Sequence, residues 1–165
     1  RENTAEHSWQ IIILAQILFP YAKNNTEINL LRVIRMLSIH DLVEIDAGDT
    51  FLFDEEGMKG KFEREKLAAK KIFGILDEPL SSEFYNLWIE FEEEETPDAI
   101  FACAIDRMMP FILNTYTSGK SWTESGVTEK QVGNMLENAI CRASDDMGDC
   151  FQLLMKKCFD EKKFS

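Results

Sequence analysis

Histidine is nearly absent from this chain, with two in 165 residues. No stretch alternates apolar and polar residues over the length of a strand, and no segment repeats. Without that alternation a sheet cannot present one buried face, which leaves helical periodicity as the organising pattern. Long hydrophobic runs are missing too. The longest, IIILAQILF at 11–19, is too short to span a bilayer and is interrupted by Gln16. It reads as a core helix. The four cysteines (Cys103, Cys141, Cys150, Cys158) form no CxxC pair, and no secretory signal is visible. They are expected to be reduced, buried thiols in a cytoplasmic protein. Basic charge is scarce, with 18 Lys and Arg against 30 Asp and Glu, a net charge of -12. Nucleic-acid polymers and anionic membranes are held by cationic side chains that neutralise phosphates, so neither is an expected partner. A small phosphorylated ligand would need local positive charge, most simply from a metal ion. The chain begins at Arg1 rather than Met, so an N-terminal segment is expected to be missing.

What is present is ordinary material for one helical domain. Hydrophobic residues make up 45% of the chain, enough for a sizeable core. The first helix is expected from Thr4–Ala5 to about Lys23, with Pro20 ending or kinking it. Thr26 is the candidate N-cap of the next, whose apolar face would be Ile28, Leu31, Ile34, Met36, Leu37 and Ile39. Gly48 breaks that pattern, and a loop with two glycines follows. Residues 61–76 predict an amphipathic helix with Glu/Lys pairs on its wet side. Residues 81–95 predict another, capped by Ser81 or Ser82, with the acids of EFEEEE (90–95) on a solvated face. Thr96-Pro97 restarts the helix in the N-cap and first-turn arrangement that proline favours. A Ser/Thr/Gly-rich loop is expected over 117–128, then helices over about 129–144 and 147–161. The fold class is all-α, a helical bundle in a single domain.

Few residues in this pattern carry chemistry. His40 and Glu44 are four apart and share a helical face, with Asp41 a quarter-turn away. His7 lies just inside the first helix, before an unbroken apolar stretch. Asp106 stands mid-helix among Ala104, Ile105, Met108 and Met109, where an isolated carboxylate is costly unless paired or bound to a cation. Its bland explanation is an ion pair with Arg107 or with another helix. Together His7, His40, Asp41 and Asp106 are two imidazoles and two carboxylates. That set suits one divalent transition metal (Mn, Co, Ni, Fe or Zn) better than Ca or Mg.

The order H…HD…D, carried by RENTAEHSW (1–9), IHDLVEIDAGDT (39–50), LWIEFEEEETPDAIF (87–101) and IDRMMPFILNTYTSGKSWTESGV (105–127), resembles the HD-domain metal-dependent phosphohydrolases. The resemblance is nearest to the branch that contains 5′-deoxynucleotidases. It implies that His7, His40, Asp41 and Asp106 bind the metal, that Glu44 orients or activates water, and that Asp49 is a proton donor. Thr50, Arg1 and Arg107 are candidate substrate contacts. Lys59, Lys61 and Arg64 could steer phosphate across the site but read by default as exposed charges near a loop, and Asp46 reads as a solvated acid. Trp9 is a candidate for the pocket wall. The implied function is a 5′-nucleotidase acting on (deoxy)nucleoside monophosphates, and the resemblance allows a homodimer. Two alternatives stay open: a hydrolase of nucleoside triphosphates or another small phosphate ester, and a non-catalytic scaffold that binds a nucleotide. A dinuclear phosphodiesterase would need further histidines, and both are already used. The chain departs from the family pattern at Phe51, where proline is frequent, and at Ser125, where histidine is frequent.

Overall fold

The computed structural model describes residues 3–164, and among these the regular structure is helical throughout. The helices are α1 (Thr4–Leu18), α2 (Leu30–Ile39), α3 (Glu44–Ala47), α4 (Glu55–Met58), α5 (Lys61–Phe73), α6 (Leu80–Glu93), α7 (Pro97–Tyr116), α8 (Lys120–Ser125), α9 (Glu129–Ala143) and α10 (Asp145–Asp160). Short 3₁₀ turns stand at Phe19–Tyr21, Asn25–Glu27 and His40–Val43. The longest helix, α7, is the axis of the packing and touches α1, α2, α6, α8, α9 and α10. Its sequence explains this place. Ala99, Ala102 and Ala104 let neighbouring backbones come close, while Phe101, Ile105, Met108 and Phe111 fill the space between them, all essentially buried. Thr96 caps it by accepting from Ala99 N, with Pro97 following in the first turn.

Several element ends differ from the sequence expectation, each for a local reason. The first helix stops at Leu18 and passes into a 3₁₀ turn containing Pro20. Asn29, not Thr26, caps α2 by accepting from Arg32 N, and Thr26 lies in a 3₁₀ turn instead. Leu31 faces outward; Val33, Met36, Leu37 and Ile39 form the buried face of α2. The helix expected from Ser81 starts at Leu80 without a side-chain cap, and Ser82 Oγ donates to Glu78. The 117–128 loop contains α8, which buries Trp122 against Phe111 and Phe164. Of the cysteines, Cys103 and Cys158 are buried as expected, but Cys150 is exposed on α10. No described helix is long and apolar enough to cross a membrane.

The α9–α10 junction is tied to the turn after α1 and to the end of α6. Ser144 Oγ donates to Tyr21 O at 2.6 Å, Lys23 N donates to Ala143 O at 2.8 Å, and Arg142 Nη2 donates to Glu94 O at 2.9 Å. Packing of α7 against α1, α2 and α9 then sets the helices that carry His7 and Asp106 and lead into His40. Truncating Phe101 to alanine would leave a void at the middle of α7. We expect Phe101→Ala to cost about 3–5 kcal/mol, measured by urea unfolding in the presence of a chelator. A loss under about 1 kcal/mol would show that this part of α7 is not the centre of the packing.

Candidate active site

Three chain segments meet at one end of a cavity of about 760 Å³. The first is the start of α1. Asn3 accepts from Ala5 N and Glu6 N while Glu6 Oε2 accepts from Asn3 N, a capping box that sets the entry angle of the helix. His7 follows in the second turn and is half-buried. The second is the end of α2, where the backbone tightens into the His40–Val43 turn. At 3₁₀ spacing, residues three apart point the same way, so Asp41 and Glu44 share a side while Val43 enters the core. The third is the middle of α7, which brings Asp106.

The geometry is tight. His7 Nε2 lies 2.9 Å from Asp106 Oδ1 and 3.9 Å from Asp41 Oδ2. His40 Nε2 lies 3.0 Å from Asp41 Oδ1 and 3.3 Å from Asp106 Oδ1. The rings are 5.8 Å apart, and Phe91 covers the far side of His40 at 4.9 Å. His40 is 5% exposed, and its Nδ1 is 3.1 Å from Leu37 O. That contact assigns the Nδ1–H tautomer, with the Nε2 lone pair facing two carboxylate oxygens. Although close to both, Nε2 is not aligned for a hydrogen bond with either. A lone pair facing two anions is repulsive, so the arrangement calls for a cation between them.

In the protein's own chemistry that cation would be a proton. Burial opposes charge on His40, but the close carboxylates of Asp106 and Asp41 outweigh it and push the imidazole up to about 10. His7 is raised in the same way, against its own burial. Asp106 runs opposite: burial would raise it, and the two histidines hold it well below the usual carboxylate range. A bound divalent ion satisfies the same groups without protonating them, and His7, His40 and Asp41 each offer an atom within 4.8 Å of the others. The donor set therefore fits a divalent cation. Asp106 is not the partner of Arg107, whose guanidinium is held by Glu94.

The wider wall receives several of the other candidates. Glu44, Asp49, Thr50 and Arg107 line the cavity. Burial is the main cause that pushes Glu44 up to about 7, helped by Asp41 and Asp49 and opposed by Lys61. Gly48, with φ +83°, makes the turn that carries Asp49 and Thr50 back to the cavity. A side chain there would be strained. Arg64 donates to Lys59 O and Gly57 O and approaches Thr50 Oγ1 at 3.4 Å, so it pins the loop and is not a free charge. Lys59 pairs with Glu56 in solvent, and Asp46 pairs with Lys71. Arg1 lies outside the described residues. Trp9 is 67% exposed and does not line the cavity, whereas Trp122 does.

Two expectations about charge need correction. The acids of 90–95 do not form one solvated face. Glu90 holds Arg32 and accepts from Thr96 Oγ1, Glu94 holds Arg107, and Glu92 turns into the cavity, where burial pushes it up to about 7. Nor is Glu65 on a wet side: it is 2% exposed and lines the same cavity, 3.2 Å from Lys61 Nζ. The signal was present. Glu92 follows Trp88 by four, and Glu65 precedes Ala69 and Phe73 by four and eight, which are same-face spacings.

The comparisons with known proteins agree with this architecture. The HD domain family model matches residues 1–147. This chain belongs to the HD domain family. In the zebrafish (Danio rerio) 5′-deoxynucleotidase HDDC2 the match is 30% identical over 107 residues, 65% of this chain and 51% of that protein. The human (Homo sapiens) protein of the same name matches at 28% over 64% of this chain and 50% of its own length. The chain thus spans about half the length of these curated relatives. A crystal structure of a predicted metal-dependent phosphohydrolase from Magnetospirillum magnetotacticum MS-1 superposes with a TM-score of 0.93 at 42% identity. It covers 100% of this chain and 81% of that one.

Glu92 gives a test of the cavity's electrostatics. Its carboxyl titrates near 7 when folded and near 4.5 when unfolded. Between those values the unfolded chain holds fewer protons, so Glu92 lowers stability as pH rises through that window. In chelator, Glu92→Gln should therefore gain stability relative to the parent between pH 5 and pH 8, on the order of 1–3 kcal/mol. Parallel urea titrations check it, and an unchanged difference between the two pH values would contradict the buried carboxyl.

Proposed function

We propose that this HD domain is a metal-dependent phosphomonoesterase that removes the 5′-phosphate from (deoxy)nucleoside monophosphates. The observation that carries the reading is the meeting of His7, His40, Asp41 and Asp106 at one end of a large cavity, with Glu44 beside them near neutrality in its titration. The names of the deoxynucleotidase relatives and of the phosphohydrolase structure support the substrate class and the metal. His7, His40, Asp41 and Asp106 would hold one divalent transition ion, of the Mn, Co, Ni, Fe or Zn kind. Such an ion supplies Lewis acidity toward a phosphoryl oxygen and toward water.

The chain's own groups do the rest. Glu44 accepts a proton from the attacking water as its oxygen bonds to phosphorus. A carboxyl titrating near 7 is well placed to serve as a base at neutral pH. Asp49 protonates the departing nucleoside oxygen as the P–O bond breaks, leaving nucleoside and inorganic phosphate. Thr50, on the wall, meets the sugar or phosphate, and Arg107 lines the same wall with its guanidinium held by Glu94. The 760 Å³ of the cavity is the size that small-molecule sites require.

The test is metal analysis joined to phosphate release from a panel of nucleoside monophosphates, triphosphates and simple phosphate esters, with several metals. Asp41→Ala should lose both bound metal and turnover. Glu44→Gln should keep the metal while kcat falls about 10²–10⁴-fold. Full turnover by Asp41→Ala would sink the hydrolase reading. Release from triphosphates alone would remove the nucleotidase one.

A further inference from the structure

A dianionic phosphate entering this cavity meets a wall on which carboxylates outnumber cations. Among the described lining residues the Lys and Arg side chains are Lys61 and Arg107. They are not equivalent. Both guanidinium nitrogens of the Arg107 fork face the two oxygens of Glu94, which spends its planar donor edge within the protein. Lys61 opens α5, and its side chain is 26% exposed. Its Nζ stands 3.2 Å from Glu65 Oε1. The contact is an ion pair without an aligned hydrogen bond, because Oε1 is fully buried and yet unsatisfied. An ammonium carries three donors, so this pairing leaves Lys61 with donors for a second acceptor.

Glu65 needs explaining in its own right. It is 2% exposed on the inward face of α5, one turn before Ala69. A buried ion pair kept for stability alone could be replaced by apolar side chains without loss. Its effect here is to pin a lysine at the wall of the cavity. The helix that carries both residues packs against the His40–Val43 turn and α3, the segments that carry His40, Asp41 and Glu44. A lysine ammonium is a compact charge with three rotatable donors, suited to phosphate oxygens.

We propose that Lys61 binds the non-bridging oxygens of the substrate's phosphate, and that Glu65 is the buried positioning residue that holds Lys61 at the cavity wall. This rests on the phosphohydrolase reading, and it deepens that reading by naming the side chain that receives the phosphate. The prediction is that Lys61 acts mainly on binding, with less effect on the chemical step.

The test uses metal-loaded protein and two independent readouts: calorimetric binding of inorganic phosphate, and KM and kcat for deoxyadenosine monophosphate. Metal content is measured in every variant. Lys61→Gln should hold as much metal as the parent, bind phosphate at least about tenfold more weakly, and show a raised KM with a smaller change in kcat. Lys61→Arg should recover part of the affinity. Glu65→Gln, which keeps the charge of Lys61 but loosens its anchor, should fall between them. Lys71→Gln, the same charge change on an exposed lysine paired with Asp46, should match the parent. If Lys61→Gln leaves Glu65 uncompensated and fails to fold, the neutral pair Lys61→Gln/Glu65→Gln takes its place with the same expectation. Phosphate affinity equal to that of Lys71→Gln would overturn the proposal, as would a parent protein that binds no phosphate. A parent that hydrolyses no nucleotide, with phosphate affinity still lost in Lys61→Gln, would sink the nucleotidase reading and leave the lysine assignment standing.

Discussion

The constraint on which the rest of this structure depends is the approach of two imidazoles to two carboxylates within hydrogen-bonding distance, at a cavity wall where the three side chains other than His40 are only partly exposed. His40 is almost completely buried, with one ring nitrogen committed to Leu37 O and the other facing Asp41 and Asp106. Such an assembly holds together only with a cation at its centre, whether protons or a metal. Much of the fold serves that meeting. The capping box at Asn3 aims α1, the 3₁₀ turn after α2 brings His40 and Asp41 to adjacent positions, and the alanine-rich first half of α7 lets Asp106 approach both.

Around this centre the protein accumulates acid. Glu44 and Glu92 are both pushed up to about 7, chiefly by burial. Their protonation is the cheapest way for the chain to carry so many carboxyls into one cavity. Lys61 stands at the same wall, and the proposed central ion would add positive charge beside it. A net charge of -12 is compatible with a small phosphate ester where the opposing charge is local.

Much of this was legible in the chain. Helical spacing with no strand alternation identified the all-α class, and Thr96-Pro97 marked the start of α7 where it is found. Two histidines, an adjacent aspartate and a mid-helix aspartate are conspicuous because apolar helices seldom contain them. Caps were less legible. Asn29 rather than Thr26 starts α2, since any small polar residue near a helix start can serve and the backbone path chooses between them. Charge runs were the least legible. Glu90, Glu92 and Glu94 look alike in sequence, yet one pairs with Arg32, one enters the cavity and one holds Arg107.

The chain by itself determined the element type and singled out the four residues that meet at the cavity wall, with Glu44 and Asp49 on the same lining, because periodicity and residue chemistry are local properties. Only the tertiary structure decided which partners those residues meet. Asp106 faces histidines that arrive from α1 and α2, not the neighbouring Arg107. Glu65 and Lys61 turn from a surface pair into part of a cavity wall. Whether a charged side chain is solvated or buried depends on what packs over it, and that is settled by residues distant in sequence.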